Sequence, residues 1–586
     1  KKQGIAVRSN LLYALLNTCS EFASRSVNNC RMLQASAVKL DSGAESKAGE
    51  MSVGGTENLL LKRVEGMVRW EDTNHLIFVF HNQDIQTLSA MYRDKSSVPS
   101  HVKNLFESQV KNILPDFKSK TASELQDILQ RVARTNPSPL GKKKLEDMAK
   151  DYALTPDNLL KMVLIMLRIK AHVPVLIMGE TGCGKTSLIR YLSQICDVSF
   201  KVIQIHAGVQ DEYILERINQ IRREAENSLG NPVWLFLDEI NTCNHLGLIN
   251  DILCHHKCLG KTLPPNLIVM AACNPYKLRL QKNVLTAGLQ GKIKTDEMSR
   301  LVYRVFPLPE TMVDYVWDFG SISEKDEKAY VHSMIQNVFV KNPTMDALLA
   351  DLLIMSQRVV REIEESESCV SLRDVNRCKL LTKWFQDFLK KKRAGIYTGR
   401  DFQIRCMILA LAHCYHSRLA SAQDRKRYRK GIADVIDCHA VAGYTEDKIQ
   451  NIITEEQKDI LKKMELPTGT AHNTALQENV FVILVCILNR IPIFVVGKPG
   501  CSKSLSMQVI RSNLRGKDSK DPLFKLLPQL NCVSFQGSES STSDGIIKVF
   551  EKAQRYQENN NPEEELSVVI LDEIGLAEIS KFNPLK

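Results

Sequence analysis

Residues 159–188 read LLKMVLIMLRIKAHVPVLIMGETGCGKTSL, and this stretch decides the fold. An apolar pattern with helical spacing is followed by a basic turn, a short buried strand and a glycine-rich loop. The loop runs from Gly179 to Thr186 and fits the phosphate-binding pattern Gly-x4-Gly-Lys-[Ser/Thr]. Glycines let consecutive backbone N–H groups curve around phosphates, and the following helix points its positive end at them. The stretch therefore predicts a nucleotide site on an α/β sheet.

Two side chains of the loop have distinct predicted roles. Lys185 reaches the β- and γ-phosphates of a bound nucleotide, and the hydroxyl group of Thr186 is a ligand for Mg²⁺. A glycine-rich turn without a ligand is the simpler alternative, but the apolar strand before the loop and the apolar helix after it favour binding. The residues expected to contact ATP are Gly179, Glu180, Thr181, Gly182, Cys183, Gly184, Lys185 and Thr186.

Two later strands supply the remaining polar groups of this site. The strand VWLFLDEI ends in Asp238 and Glu239, at the carboxyl edge where parallel α/β sheets bind ligands. Asp238 is expected to hold Mg²⁺, and Glu239 to polarise the attacking water as the general base. The strand in LIVMAACNPYK ends in Asn274, whose amide is expected to orient that water or sense the γ-phosphate. Taken alone, an Asn-Pro pair is usually only a turn.

The same blocks recur in the same order further along the chain. Residues 477–505 read QENVFVILVCILNRIPIFVVGKPGCSKSL, and SVVILDEI follows with Asp572 and Glu573. We expect Ser504 and Asp572 to hold Mg²⁺ and Glu573 to act as the base. Ser502 stands where the last glycine of the pattern should be, so we expect crowding near the phosphates, with binding retained and hydrolysis less assured. The second loop comprises Gly497, Lys498, Pro499, Gly500, Cys501, Ser502, Lys503 and Ser504.

Together, the loop, the LDEI box, the Asn-Pro strand and a helical lid resemble the AAA+ ATPases, most closely their dynein-type and MoxR-type branches. The resemblance implies that Asn274 is sensor 1. It also implies that Arg373, in SLRDVNR, is sensor 2 on a lid helix that Ser371 and Asp374 can cap. An arginine finger follows from the same resemblance. Arg300 is favoured for it over Arg304, which is expected to lie within a strand. A surface arginine is the simpler interpretation of each.

More specifically, YRVFPLPETMVDYVWDFG and LDEIGLAEISKFNPLK resemble the giant dynein-like AAA+ ubiquitin ligases. In that family, six AAA+ units of one polypeptide form a ring. The resemblance implies that neighbouring units of the same chain, a ubiquitin-conjugating enzyme and substrates are partners, the last two through parts outside this segment. It also implies a cytoplasmic location, with the lipid-droplet surface as a further possibility, and it implies that this chain is a fragment of the larger ring.

The repeat and the resemblance together predict an α/β protein built from tandem AAA+ P-loop domains with helical lid segments. Residues 1–150 are expected to be the tail of a preceding unit, and 151–320 the large subdomain of unit one. The helical lid and linker is expected over 321–462, and a truncated large subdomain of unit two over 463–586. Two alternatives to a mechanochemical ATPase stay open: a nucleotide-gated scaffold with slow turnover, and a nucleic-acid motor.

The composition of the chain bears on its partners, its cysteines and its possible membrane segments. The chain has 586 residues with 78 Lys+Arg against 67 Asp+Glu, a mild excess that does not demand a nucleic-acid partner. The basic runs lack interleaved aromatic residues except Tyr428, so no nucleic-acid partner is expected. The chain's 16 cysteines contain no Cys-x-x-Cys pair, which suggests reduced thiols. The apolar run from Val480 to Val496 contains Asn489, Arg490 and Pro492, so no transmembrane segment is expected. Cys254 and Cys258 lie in ILCHHKCL, which is predicted to be helical, and no zinc is expected.

Overall fold

A computed structural model describes most of the chain from residue 70 to residue 577. Two compact units divide it, the first extending to Tyr330 and the second from Val331 onward. The described residues are 70, 74–80, 88–110, 113–133, 141, 145, 152, 154–206, 208–228, 230–277, 301–320, 324–336, 338–339, 342–366, 369–392, 399–497 and 500–577.

The described residues form eleven strands and eighteen α-helices. The strands are β1 (Ile77–Phe80), β2 (Leu88–Met91), β3 (Val175–Met178), β4 (Ser199–Gln204), β5 (Val233–Asp238), β6 (Lys257–Cys258), β7 (Lys261–Thr262), β8 (Leu267–Cys273), β9 (Val316–Asp318), β10 (Gln529–Gln536) and β11 (Glu565–Asp572). The helices are α1 (Ser100–Leu105), α2 (Ala122–Ala133), α3 (Pro156–Lys170), α4 (Lys185–Ile195), α5 (Asp211–Asn227), α6 (Leu246–Leu253), α7 (Glu310–Val313), α8 (Glu324–Met334), α9 (Pro343–Glu364), α10 (Leu372–Lys392), α11 (Arg400–Cys414), α12 (Ala422–Cys438), α13 (Glu446–Lys462), α14 (Thr474–Leu488), α15 (Lys503–Asn513), α16 (Pro522–Lys525), α17 (Ser543–Asn559) and α18 (Ile574–Ala577).

A five-stranded parallel sheet organises the first unit. Its strand order is β4-β5-β8-β3-β9, so β3 lies between β8 and β9, and β8 separates it from β5. Every residue of β3 and β5 is buried, which is typical of parallel strands covered on both faces. The predicted α/β class with a parallel sheet and flanking helices is therefore confirmed.

Local signals explain how the helices beside the site begin. The Thr155 side chain caps α3 by accepting the N–H of Asn158, and a proline occupies its first turn. Helix α4 begins directly after Gly184, whose φ of 85° is left-handed. Because an L-residue adopts this conformation at a cost, glycine suits the position between the loop and the helix.

Helices α9 to α13 form the core of the second unit, together with the elements that follow them. Helix α10 begins as predicted, because the Asp374 carboxylate accepts the N–H of Ser371 at 2.9 Å and the Ser371 hydroxyl accepts the N–H of Arg373 at 3.3 Å. This capping fixes where the helix carrying Arg373 starts.

Beyond α14, the second unit repeats only part of the first. Strands β10 and β11 pair in parallel with Gln536 opposite Asp572, just as β4 and β5 pair with Gln204 opposite Asp238. The prediction of a buried strand before the second loop is wrong. Residues 491–497 form no strand, and Phe494 and Val496 are 85% and 77% exposed.

The topology of the first unit supplies the physical reason. Strand β3, which corresponds to residues 491–497, bonds only to β8 and β9, and both of these follow the LDEI strand in sequence. The described residues of the second unit contain no strand after β11. Among the described residues, 491–497 therefore have no neighbouring strand with which to pair, since β11 would lie two strands away.

Two smaller predictions also need correction. The segment ILCHHKCL is not one helix, because α6 ends at Leu253 and Cys258 pairs with Lys261 in the β6–β7 hairpin. Arg304 is exposed in an irregular segment and does not lie within a strand. The strand that follows it begins only at Val316.

Within the described part of the chain, none of the helices combines the length and the apolar character needed to cross a bilayer.

Candidate functional site

Three loops meet at the carboxyl edge of the first-unit sheet. The phosphate-loop sequence follows β3, the LDEI acids end β5, and Asn274 follows β8, the strand between them. Because parallel strands present their carboxyl ends on one edge, groups far apart in sequence come within hydrogen-bonding distance. The predicted residues Lys185, Asp238 and Asn274 are brought together in this way.

Lys185 lies at the centre of the site, with only 8% of the residue exposed. Its ammonium group donates to the carbonyl oxygens of Gly179 and Glu180 and, at 3.2 Å, to the side-chain oxygen of Asn274. A buried ammonium that is satisfied by neutral oxygens alone is well suited to an anionic ligand. The loop thus supplies a cation, and the Asn274 amide lies beside it.

Thr186 and Asp238 form the second close contact. The threonine hydroxyl donates to the Asp238 carboxylate at 2.6 Å, and Asp238 is buried at the end of β5. A hydroxyl and a carboxylate oxygen are hard ligands of the kind that Mg²⁺ prefers. The donor set therefore fits a magnesium ion that is shared with nucleotide phosphates.

Glu239 occupies a special backbone position. Its φ is 57°, in the left-handed region that non-glycine residues rarely adopt. The strained turn lets the chain leave β5 with Asp238 and Glu239 at the sheet edge, followed by the short helical turn Ile240–Thr242. Such strain is characteristic of functional sites.

Asn241, which the sequence analysis missed, holds the end of β8 in place. Its side chain donates to the Asn274 carbonyl at 2.8 Å and accepts the Asn274 N–H at 3.1 Å. The Asn241 carbonyl accepts the N–H of Phe306 at 2.7 Å. One buried amide therefore fixes the end of β8 relative to the turn after Glu239. Its place two residues after Glu239 is the only sequence signal for this role.

Tyr303 and Lys277 were missed as well. Both contact Glu180, the second residue of the phosphate-loop sequence. They lie about 100 residues or more beyond it, and no local pattern links them to the loop.

The loop fits a nucleotide on further grounds. Gly182 and Gly184 have φ values of 82° and 85°, so backbone N–H groups can turn towards a phosphate. Among the described residues no side chain caps the N-terminus of α4, which leaves its first N–H groups available for an anion.

The second unit presents the same groups in a more open arrangement. The Lys503 ammonium donates to the Gly497 carbonyl at 2.7 Å, and the Ser504 hydroxyl donates to the Asp572 carboxylate at 3.3 Å. Gly500 has a φ of 83°, and Glu573 repeats the left-handed turn of Glu239 with a φ of 46°. Cys501 is partly buried beside these residues, as is Cys183 in the first loop.

Ser502 adopts a φ of 58°, in the same left-handed region as Gly184. A side chain at Gly184 would meet no protein atom within 4 Å of its Cβ. The backbone conformation, rather than crowding by protein atoms, is therefore the constraint that Ser502 faces.

The structure does not test some of the predicted residues. Arg300, Lys498 and Pro499 lie outside the described residues. Arg373 is exposed on α10, in the second unit. The roles of Arg300 as finger and Arg373 as sensor 2 remain predictions.

The cysteines near residue 250 have a structural setting. Burial raises the pKa of the Cys254 thiol to about 11, away from the thiolate form that binds metals. Across the part of the chain that the structure describes, no group of three or more His, Cys, Asp and Glu side chains is arranged to hold a metal ion.

Comparison with known proteins gives these sites a family context. Residues 152–277 and 469–586 each match a family model described as an RNF213 AAA domain. The chain is 36% identical over 491 residues to the E3 ubiquitin-protein ligase RNF213 of Homo sapiens, which covers 76% of the chain and 9% of the relative. It is 35% identical over 477 residues to the protein of the same name from Mus musculus, covering 75% and 9%.

A fish relative extends the match. The E3 ubiquitin-protein ligase rnf213-beta of Danio rerio is 33% identical over 571 residues, covering 88% of the chain and 11% of the relative. The chain thus spans about a tenth of the length of these curated relatives, and its two matched segments contain the two phosphate loops. Through these two AAA domains, the chain belongs to the RNF213 (mysterin) family of AAA+ proteins.

Proposed function

We propose that unit one binds and hydrolyses ATP, and that the nucleotide cycle drives conformational change in the AAA+ core of a ubiquitin ligase. The observation that carries the proposal is the convergence of Lys185, Thr186, Asp238 and Asn274 from three strands, with contacts of 2.6 and 3.2 Å. A scattered set of polar residues would not be expected to meet in this way at one sheet edge.

The chemistry assigned to each residue follows from its position. Lys185 binds the β- and γ-phosphate oxygens of ATP, while the N–H groups at the start of α4 hold the same anion. Thr186 and Asp238 would hold Mg²⁺, which neutralises charge on the phosphates when bound. Glu239 accepts a proton from the attacking water. Asn274 orients that water, and Asn241 keeps the Asn274 backbone in place.

For unit two we propose ATP binding through Lys503, Ser504 and Asp572, with Glu573 as its base and with slower hydrolysis. Its last loop glycine is replaced by Ser502, which is held in a left-handed conformation. This replacement favours a site that retains nucleotide more readily than it turns nucleotide over.

The partners proposed for this segment are neighbouring AAA+ units of the same polypeptide, with Arg300 as the arginine finger and Arg373 as sensor 2. The relatives are named as ubiquitin ligases, so we propose that a ubiquitin-conjugating enzyme and substrates act through parts outside this segment. The proposed location is the cytosol, with the lipid-droplet surface as a further possibility.

A nucleotide-gated scaffold with slow turnover is the second candidate function. It is favoured by Ser502 in the loop of unit two, whereas Glu239 in unit one favours hydrolysis. A nucleic-acid motor is less favoured, because the arginines of the basic run on α12 already have acidic partners. The ion pairs are Arg425–Glu478, Arg427–Glu362 and Arg429–Glu446.

Calorimetric titration of the purified chain with ATP and Mg²⁺, combined with a phosphate-release assay, tests the proposal. If unit one is an ATPase, Lys185→Ala should lower both ATP binding and phosphate release. Glu239→Gln should lower phosphate release and leave ATP binding unchanged. The scaffold alternative predicts binding with release that is insensitive to Glu239→Gln. Stimulation of release by single-stranded DNA or RNA would favour the nucleic-acid motor.

A further inference from the structure

An acidic side chain lies within the phosphate loop of unit one. Glu180 is 17% exposed at its side chain, and its own backbone carbonyl accepts a hydrogen bond from Lys185 at 3.2 Å. A carboxylate in this position adds negative charge beside a site for phosphates. Binding of an anion would therefore be opposed unless this charge is compensated.

Two residues from distant segments compensate it. Lys277 donates to one carboxylate oxygen of Glu180 at 3.2 Å, and the Tyr303 hydroxyl donates to the other. The same hydroxyl accepts the N–H of Thr181 at 3.3 Å. Lys277 and Tyr303 thus contact the loop at Glu180 and Thr181. Neither Lys277 nor Tyr303 is among the residues predicted to contact ATP or Mg²⁺.

The segments that carry Lys277 and Tyr303 are fastened to each other and to the catalytic turn. The Val302 N–H donates to the Lys277 carbonyl at 2.8 Å. The Phe306 N–H donates to the carbonyl of Asn241 at 2.7 Å. The segments that carry Lys277 and Tyr303 are therefore hydrogen-bonded to each other and to the residues that follow Glu239.

Titration behaviour agrees with this geometry. Burial and the hydrogen bond to the Glu180 carboxylate raise the pKa of the Tyr303 hydroxyl. The phenol therefore stays protonated and keeps donating at neutral pH.

We propose that Lys277 and Tyr303 are positioning residues that raise the affinity of unit one for nucleoside triphosphates by neutralising Glu180 and fixing the Glu180–Thr181 backbone. The proposal rests on the nucleotide binding proposed above. Charge compensation lowers repulsion of the phosphates, and a fixed loop loses less conformational freedom when it binds.

The loop of unit two has no counterpart of Glu180 or of Thr181. Lys498 replaces Glu180 in the second loop, and Pro499, which has no N–H to donate, replaces Thr181. The proposed contacts of Lys277 and Tyr303 with the loop are therefore specific to unit one.

Charge-compensation variants test the proposal by equilibrium binding of fluorescent ATP. They are made in a Lys503→Ala background, so that the signal comes from unit one. We expect Lys277→Met to weaken binding about three- to tenfold, and Glu180→Gln to restore most of the loss in the double variant. The Lys277→Met effect should shrink in 0.5 M salt. Lys261→Met, an exposed lysine on β7, is the matched control and should change nothing.

Tyr303→Phe separates fixing of the loop from charge. It should weaken binding to a similar extent with little dependence on salt, since it removes a hydroxyl group rather than a charge. Thermal unfolding of each variant confirms that it is folded. Unchanged affinity in both Lys277→Met and Tyr303→Phe, or no restoration by Glu180→Gln, overturns the proposal. If Lys185→Ala in the same background also leaves binding unchanged, the proposed nucleotide site itself fails.

Discussion

The two phosphate-binding loops of this chain share a sequence pattern but differ in how the fold encloses them. In unit one, Lys185 is buried, and Thr186 contacts Asp238 at 2.6 Å. In unit two, Lys503 is half-buried, and Ser504 contacts Asp572 at 3.3 Å. The difference begins one element earlier, since β3 has a strand on each side and residues 491–497 have none among the described residues.

This contrast shows that a phosphate loop depends on the strands beside it. Both units contain the same left-handed turns, at Gly184 and Ser502 in the loops and at Glu239 and Glu573 after the strands β5 and β11. The closeness of hydroxyl and carboxylate, and the burial of the lysine, require a sheet that holds the loop strand at the correct distance from the LDEI strand. Variants that act on one unit at a time can test this interpretation.

The largest expected effect is on hydrolysis. Glu239→Gln keeps the shape of the side chain but removes the base, so the phosphate-release rate of unit one should fall by about 100-fold or more while ATP stays bound. Glu573→Gln should lower the total rate much less. Steady-state phosphate release and retention of radiolabelled ATP measure the two effects. If the Glu239→Gln variant releases phosphate as fast as the unmodified chain, hydrolysis must be assigned to unit two.

The next effect is on binding. Lys185→Ala removes a buried ammonium group, so affinity at unit one should fall about 30-fold or more, since truncating a buried charged partner has large effects. Lys503→Ala removes a more exposed ammonium group and should weaken ATP binding at unit two by a smaller factor. Photo-crosslinking with azido-ATP, followed by peptide mapping, reports each site separately. Equal losses at both sites would contradict the comparison.

A smaller effect concerns the left-handed residue before each helix. Ser502→Gly should relieve backbone strain and tighten nucleotide binding at unit two by at most about fivefold, or leave it unchanged. The reverse change, Gly184→Ser, should weaken binding at unit one by a similar factor. Mapped crosslinking serves again as the measurement. Clearly weaker binding after Ser502→Gly would identify the hydroxyl as a ligand.

The smallest expected effect concerns Glu573, the proposed base of unit two. The Gln536 amide donates to the Glu573 carboxylate at 3.2 Å. No such bond is described between the corresponding residues Gln204 and Glu239 within the part of the chain covered by the structure. Gln536→Leu should release Glu573 and change phosphate release about twofold in a Glu239→Gln background. Gln204→Leu is the matched control and should have no comparable effect.

Local sequence predicted what local physics controls. The loop from Gly179 to Thr186, the acids after β5 and the capped start of α10 all follow from short patterns. The strand predicted over 491–497 failed because a strand needs partners, and apolar sequence alone does not supply them. The β6–β7 hairpin interrupts the helix expected through Cys258 for a related reason, since a backbone pairing outweighed helical spacing.

The residues that support the site could not be predicted from the sequence, for a different reason. Lys277 and Tyr303 lie 97 and 123 positions from Glu180 in sequence. Asn241 acts on Asn274 across 33 positions. Only the strand order, with β8 between β3 and β5, makes them neighbours, and no local signal in one sequence specifies that order. The loop sequence was enough to predict where its own residues lie, but the residues that support the loop could not be predicted.

The strand order also has a consequence during synthesis. Strand β3 pairs with β8 and β9 and not with β4, the next strand to leave the ribosome. About 140 residues separate Met178 from Asp318, so at typical translation rates the first loop strand emerges roughly 10 s before its last partner. During that interval its apolar side chains, all buried in the folded unit, would lack their neighbouring strands. Nascent chains of this kind should therefore depend on molecular chaperones.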